Sequence, residues 1–500
     1  MDQVLNLPTV EDIRAAFLQG EEAVIASFLQ QQEMFLSLLA QQNQVIEKQS
    51  ERIQALEARL AQNSRTSSKP PSSDGYSKPK RTKSQRQQGQ KPTGGQPGHE
   101  GSTLKQVEHP DEVLEYRPSV CQCCGHDLQG LVGEVLMERQ VIDVPEWRPL
   151  TTAHRQMGIT CPHCQTANRG TLPDPVKGPV QYGEGIKALG TLMTCGHHLP
   201  VARTGEILRD LLGIDISDAV ILEAAHTVAE AVSPVTEAIR QALIQSPVIH
   251  VDESGLRVEG KLYWLHVAST DQLTGYLIHP KRGLEAMEAA HILTDFEGVA
   301  VHDHWKSYFH YVTCQHALCN AHHLRELDWM EQNWNQPWAG AVRRLLLKMK
   351  AAVEEAREAG QTGLDPAVLH TLQQEYDHLI GWGLVDNPAK PPDPAHPRRR
   401  PAQTPIRNLL ERLHQRREEV LRFMTDFQVP FDNNQGERDI RMVKLKQKIA
   451  GGFRTLTGAT DFATIRSYLS TARKNGTSFL KALSDALAGK PFYPEACSGI

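Results

Sequence analysis

Near the end of this 500-residue chain a turn runs into a helix at Phe431-Asp432-Asn433-Asn434-Gln435-Gly436-Glu437-Arg438-Asp439-Ile440-Arg441. Asp-Asn-Asn is turn and helix-cap chemistry, so Glu437 falls on the first helical turn. Far upstream, Asp252 and Asp303 close two apolar runs, Pro247–Val251 and Gly298–His302, whose length and make-up predict strands. Two strand-end carboxylates and one helix-borne carboxylate are hard oxygen ligands for Mg²⁺ or Mn²⁺. A pair of such ions clamps the attacking and leaving oxygens of an in-line phosphoryl displacement. The chemistry implied is cutting or joining nucleic acid.

Neighbouring groups compete for these roles. Glu253 adjoins Asp252 but faces the other side of a strand. Asp432 rivals Glu437, and its place in the cap leaves Glu437 as the third ligand. Lys444 lies two helical turns beyond Glu437 and shares its face, where a cation contacts DNA phosphate; Arg438 and Arg441 are alternatives. His302, His304, His322 and His323 suggest a transition-metal site. Beside a carboxylate trio they are expected instead to support the acids or touch phosphate.

The elements around these residues have a definite order. Three strands joined by hairpins (Pro247–Val258, Leu262–Ala268, Thr274–Ile278) precede a helix at Leu284–Leu293. The strand Gly298–Asp303 and a short strand His316–Cys319 follow. That is the order of an RNase H-like fold, in which the first and fourth strands are adjacent and Asp252 meets Asp303. Residues 321–424 are helical and charge-rich, including Leu345–Arg357 and Asn408–Met424, with a Pro/Arg-rich loop at Asn387–Pro405. They read as an insertion dividing a catalytic core at 245–320 and 425–500.

Upstream, residues 1–61 contain a heptad. Its a-positions are Ile25, Gln32, Leu39, Ile46, Ile53 and Leu60, and its d-positions Phe28, Phe35, Gln42, Gln49 and Leu56. A seam repeating every 3.5 residues predicts a coiled coil and self-association; the rival is an amphipathic helix packed on its own chain. Residues 62–110 are poor in apolar residues and basic, reading as a flexible linker that is either a tether or a phosphate attractor. In 111–178, Cys121-Gln122-Cys123-Cys124-Gly125 and Cys161-Pro162-His163-Cys164 predict a structural Zn²⁺ ribbon with Cys121, Cys124, Cys161 and Cys164 as ligands. Cys123 and His163 are expected to be bystanders. Residues 179–244 predict three helices, either a helix-turn-helix DNA reader or a helical spacer.

The formal net charge of -5 conceals basic stretches: eleven Lys/Arg against three Asp over 438–490, and nine against two acids over 65–105. Local basic faces govern nucleic-acid binding, so the acidic average does not exclude it. No run of eighteen apolar residues exists, and the N-terminus lacks a basic stretch followed by an apolar one. A cytoplasmic location, without membrane association, is expected.

The ordered set of motifs resembles the DDE transposases of bacterial insertion sequences, specifically the insertion sequence 66 family. The resemblance rests on the coiled coil, the Ser/Pro-rich stretch 63–75, Gly-Gly-Gln-Pro-Gly-His-Glu-Gly at 94–101 and the cysteine knuckles. It rests further on Val251-Asp252-Glu253, His302-Asp303, Cys319-Asn320-Ala321-His322-His323-Leu324-Arg325 and Asp432-Asn433-Asn434 followed by Glu437-Arg438. It implies that Asp252, Asp303 and Glu437 are the acidic triad, and that the protein is a metal-dependent enzyme cutting mobile-element ends and joining them to target DNA. Implied too are a homo-oligomer, a dimer or larger, accessory transposition proteins and a place at the bacterial nucleoid. Ser254 stands where relatives carry Thr and keeps the hydroxyl. Two other readings stay open: an inactive zinc-ribbon DNA-binding protein derived from such an enzyme, and a metal phosphoesterase built on the histidines. The fold class expected is multidomain α+β: coiled coil, basic linker, zinc ribbon and helical domain, then an RNase H-like core with a helical insertion.

Overall fold

The computed structural model describes residues 9–61, 104–144, 147–391, 398 and 401–497. The Ser/Pro-rich and Gly-Gly-Gln-Pro-Gly-His stretches, most of the linker and much of the Pro/Arg-rich loop lie outside them. Two helices open the chain, α1 (Val10–Gln19) and α2 (Glu21–Ala61). A small hairpin, β1 (Gly158–Thr160) and β2 (Ala167–Arg169), precedes α3 (Glu184–Thr191), α4 (Val201–Leu212) and α5 (Asp218–Ile244). Then come β3 (Val248–Val258), β4 (Lys261–Ser269), β5 (Thr274–His279), α6 (Leu284–Ala289), β6 (Val299–His302) and β7 (Gln315–Leu318). Five helices follow: α7 (Asn320–Trp334), α8 (Pro337–Glu358), α9 (Pro366–Asp386), α10 (Pro405–Gln415) and α11 (Arg417–Thr425). The last three are α12 (Asn434–Ala450), α13 (Leu456–Lys474) and α14 (Phe479–Leu487).

Strands β3–β7 make one mixed sheet in the order β5-β4-β3-β6-β7. β3, β4 and β5 pair antiparallel and β6 pairs parallel with β7. The expected strand sequence is therefore present, with one difference. Asp252 is not at a strand end: β3 runs through it to Val258, and Asp252 stands opposite Val267 of β4.

The chain divides at 76/77, 297/298 and 434/435 into two units. One holds β1–β5, α3–α6 and nearly all of α12 with α13 and α14. Its core forms where α5 and α13 pack together and against β5, burying Val228, Val232, Ile239, Leu243, Ile465 and Leu469. The edge strand β5 donates backbone N–H groups to α13 side chains, Thr274 to Thr471 Oγ1 at 3.0 Å and Tyr276 to Ser467 Oγ at 2.9 Å. Those bonds blunt the edge against pairing with another chain. Helix α5 carries this core, so it is a scaffold element; Ser217 caps it, accepting from Val220 N.

The other unit holds α1, α2 and the segment from β6 through α11. Among the described residues, 321–386 and 405–424 are largely helical as expected, but the segment Asn408–Met424 is two helices. Arg416 leaves helical geometry between α10 and α11 (φ -110°, ψ 31°), and its guanidinium stacks over Phe309 at 3.8 Å. Helices α8, α9 and α10 pack closely: a Cβ on Gly383 would lie 2.6 Å from Leu410 and 2.9 Å from Trp338.

Helix α2 is continuous for 41 residues. Its seam residues Ile25, Phe28, Phe35, Leu39, Ile46 and Ile53 are all exposed. An amphipathic helix packed on its own chain would bury that stripe, so the placement favours the coiled-coil reading. Leu39→Pro removes a helix hydrogen bond mid-seam at a local cost of roughly 3 kcal/mol. The expected outcome is loss of self-association by light scattering; an unchanged oligomer would place association elsewhere in the chain.

Candidate active site

Asp252 and Glu437 belong to the same unit, and the docking of α12 along β3 relates them. Lys444 Nζ and Gln447 Nε2 both donate to the carbonyl of Gly255, at 3.1 and 3.2 Å. Beyond the helix, Phe453 N donates to Arg257 O at 2.8 Å and Glu259 N to Phe453 O at 2.9 Å, a parallel bridge with Val258. Both contacts rise together in residue number, so helix and strand run in the same direction. Glu437 lies seven residues before Lys444, about 10 Å back along the helix. Asp252 lies three residues before Gly255, about 10 Å back along the strand.

Close approach at the far end depends on a glycine. A Cβ on Gly452 would sit 2.9 Å from the Arg257 carbonyl oxygen. On the opposite side of α12, Asp439 pairs with Lys474 at 2.9 Å and its carbonyl accepts from Tyr276 Oη at 2.9 Å. Sequence reading missed Gln447, Gly452 and this pair. The Gly451-Gly452 dipeptide after a helix was the available signal of close backbone approach.

Strand alternation separates Glu253 from Asp252 as expected. Glu253 is buried, with Oε1 accepting from Arg282 Nε at 3.0 Å and from a terminal nitrogen at 2.6 Å, while Arg282 stacks over Trp264 at 5.0 Å. It is a structural ion pair. Glu253→Gln keeps the shape and weakens a charged bond, so urea unfolding should show about 1–3 kcal/mol lost. Chemistry at Asp252 should survive; loss of activity without loss of stability would reverse the strand-face assignment.

Asp252 Oδ1 accepts from Glu253 N at 2.8 Å, which orients the carboxylate. At the start of α12, Asp432 Oδ1 accepts from Asn434 N at 3.0 Å, so Asp432 serves the turn as expected. Glu437 follows on the first turn and receives Arg441 at 3.3 Å. Arg438 and Arg441 are exposed. Lys444 is half-buried; burial lowers its pKa and the Asp252 charge opposes that.

Asp303 lies in the other unit, one residue past β6. Its Oδ1 accepts from Trp305 N at 2.8 Å, the same local orienting device. His302 is wholly buried between Tyr308, Phe309 and His316, with Nε2 3.0 Å from His316 Nδ1. Burial, then neighbouring cationic groups, pushes His302, His304 and His322 down to about 3. His323 is likewise lowered by burial and bonds Asn320 Oδ1 at 3.1 Å. At neutral pH these imidazoles are uncharged, which suits packing and not phosphate attraction.

The two cysteine knuckles share one backbone design. Cys121 N donates to His126 O and Gly125 N to Cys121 O; Cys161 N donates to Thr166 O and Gln165 N to Cys161 O, all at 2.8–2.9 Å. Gly125 and Gln165 both take positive φ, 73° and 59°. Hydrogen bonds from Cys124 and Cys123 lower the Cys121 pKa, and those from Thr166 lower that of Cys164. Each knuckle thus favours thiolates. Among the described residues, however, no three of the four thiols lie within 4.8 Å of one another.

The local match to known proteins is uneven. A relative from Sinorhizobium fredii, described as uncharacterized protein y4jO, is 34% identical over 79 residues, 16% of this chain. The match spans 25% of that relative's length. A family of unknown function (DUF6444) matches residues 5–105. No described helix is long and apolar enough to cross a membrane. The profile of the Transposase IS66 family matches residues 179–461, a stretch that takes in β3, β6 and α12 with Asp252, Asp303 and Glu437. By that match over more than half its length, the chain belongs to the Transposase IS66 family.

Proposed function

We propose that this protein is a DNA transposase in which Asp252, Asp303 and Glu437 form one acidic centre on an RNase H-like core. The observation that supports the reading is the docking of α12 on β3: Lys444 and Gln447 both donate to the carbonyl of Gly255, three residues from Asp252, and equal distances of about 10 Å back along helix and strand would bring Glu437 beside Asp252. Asp303, one residue past β6 with its carboxylate oriented by Trp305 N, is the third acid of the proposed centre. The donor chemistry fits Mg²⁺ or Mn²⁺, since three carboxylates offer hard oxygens. When bound, such cations supply nucleophile activation and neutralise charge at phosphorus.

The chain's own groups prepare this centre. Backbone N–H groups of Glu253 and Trp305 fix the two aspartate planes. Lys444 holds positive charge near Asp252, and Arg438 and Arg441 extend from the first turns of α12 toward solvent. Together with the helix N-terminus they attract DNA phosphate. Water oxygen adds to phosphorus and the 3′-oxygen leaves with a proton. That 3′-hydroxyl then attacks a target phosphodiester and displaces its 3′-oxygen. Zn²⁺ in the cysteine knuckles and self-association through α2 serve assembly on paired element ends, with accessory proteins as further partners.

The test uses the full chain with duplexes bearing the terminal sequences that flank its gene. Strand cleavage leaving a 3′-hydroxyl, dependent on Mg²⁺ or Mn²⁺, is expected. Tight binding without cleavage in either metal would favour the inactive DNA-binding alternative.

A further inference from the structure

We infer that Gln447 is a positioning residue that indexes α12 along β3 and so sets the distance between Glu437 and Asp252. The inference rests on the acidic centre proposed above. Three observations carry it. Gln447 and Lys444 are one helical turn apart and converge on a single carbonyl, Gly255, three residues from Asp252. That carbonyl belongs to a strand whose side chains alternate in facing, so a slip of α12 by one residue would rotate Glu437 by about 100° about the helix axis. Lys444 alone is a flexible point-charge donor, whereas an amide on a shorter stem restricts the approach.

The bridge of Phe453 to Val258 fixes the far end of the helix. It acts through the turn Gly451-Gly452, and Gly451 takes a positive φ of 71°. A hinge of two glycines transmits register poorly. The Gln447 bond is inside the helix and acts on Glu437 through continuous helical hydrogen bonds. It therefore holds the acidic residue where the terminal bridge does not.

A positioning role predicts a split between metal affinity and other properties. Gln447→Met keeps the side-chain length and removes the donor. Mn²⁺ titration of the full-length protein, followed by electron paramagnetic resonance, should show binding weakened about five- to tenfold, because ligand spacing governs affinity. Gel-shift affinity for element-end DNA should stay within twofold, and the Mg²⁺ concentration for half-maximal cleavage should rise in parallel. General destabilisation would lower the active fraction at every metal concentration and leave that half-maximal point unmoved. Gln447→Asn, whose amide falls one methylene short of the Gly255 carbonyl, should weaken Mn²⁺ binding in the same way, which keeps the test decisive if the Met variant folds poorly. Unchanged Mn²⁺ affinity in Gln447→Met, with wild-type binding intact, overturns the positioning role alone. Absence of saturable Mn²⁺ binding in the wild type overturns the acidic centre itself.

Discussion

Asp252→Asn protein should bind element-end DNA with near-normal affinity and leave it uncut. Asparagine keeps the size of the side chain and loses the charge that a divalent cation needs. The same holds for Asp303→Asn and Glu437→Gln, each expected to reduce cleavage by more than about a thousandfold, since members of a unit that acts together fail together. For that reason the double variant Asp252→Asn/Glu437→Gln should be little worse than either single one. Folding should be spared: Asp252 and Glu437 are only partly buried, and the bonds that dock α12 come from Lys444 and Gln447. Gel shift and single-turnover cleavage on one preparation make the comparison. Robust cutting by Asp303→Asn would remove that residue from the centre.

Zinc should be structural, and its loss should be felt at DNA recognition before chemistry. The loops at Cys121–Cys124 and Cys161–Cys164 share one backbone hydrogen-bond pattern, and the proposed set of four thiolates would leave no open coordination position. Metal binding is expected to couple the two loops and to stabilise the fold around them. Cobalt substitution reads this directly through its thiolate charge-transfer band. One ion per chain is expected, with Cys121→Ser losing the ion and weakening DNA binding several-fold. Cys123→Ser should keep both. Purified wild-type protein without zinc by elemental analysis would contradict the proposal.

The exposed apolar stripe of α2 gives these two centres a common setting. On the proposed function two DNA ends are cut in concert, which requires paired copies, and α2 contributes no residue to the proposed acidic centre. This separation is why Leu39→Pro is expected to abolish paired-end complexes while Mn²⁺ binding persists.

Much of the fold was legible in the residues themselves. Apolar runs marked β3 to β7, and the cap Asp432-Asn433-Asn434 placed Glu437 on the first turn of α12. These signals are local: strand alternation and capping depend on neighbours within a few residues. The 3.5-residue seam of α2 and the twin knuckles are local in the same sense. What the sequence could not convey was register between distant segments. That Asp252 lies mid-strand followed from β3 continuing past it to pair with β4, although Asp and Gly are poor strand formers, because long-range pairing overrides propensity. That the histidines are neutral packing groups followed from burial, which no spacing rule reveals. The docking of α12 on β3 was decided by one carbonyl, that of Gly255, receiving two side chains nearly two hundred residues away. A docking contact of that kind has no sequence period, so only the tertiary structure could determine it.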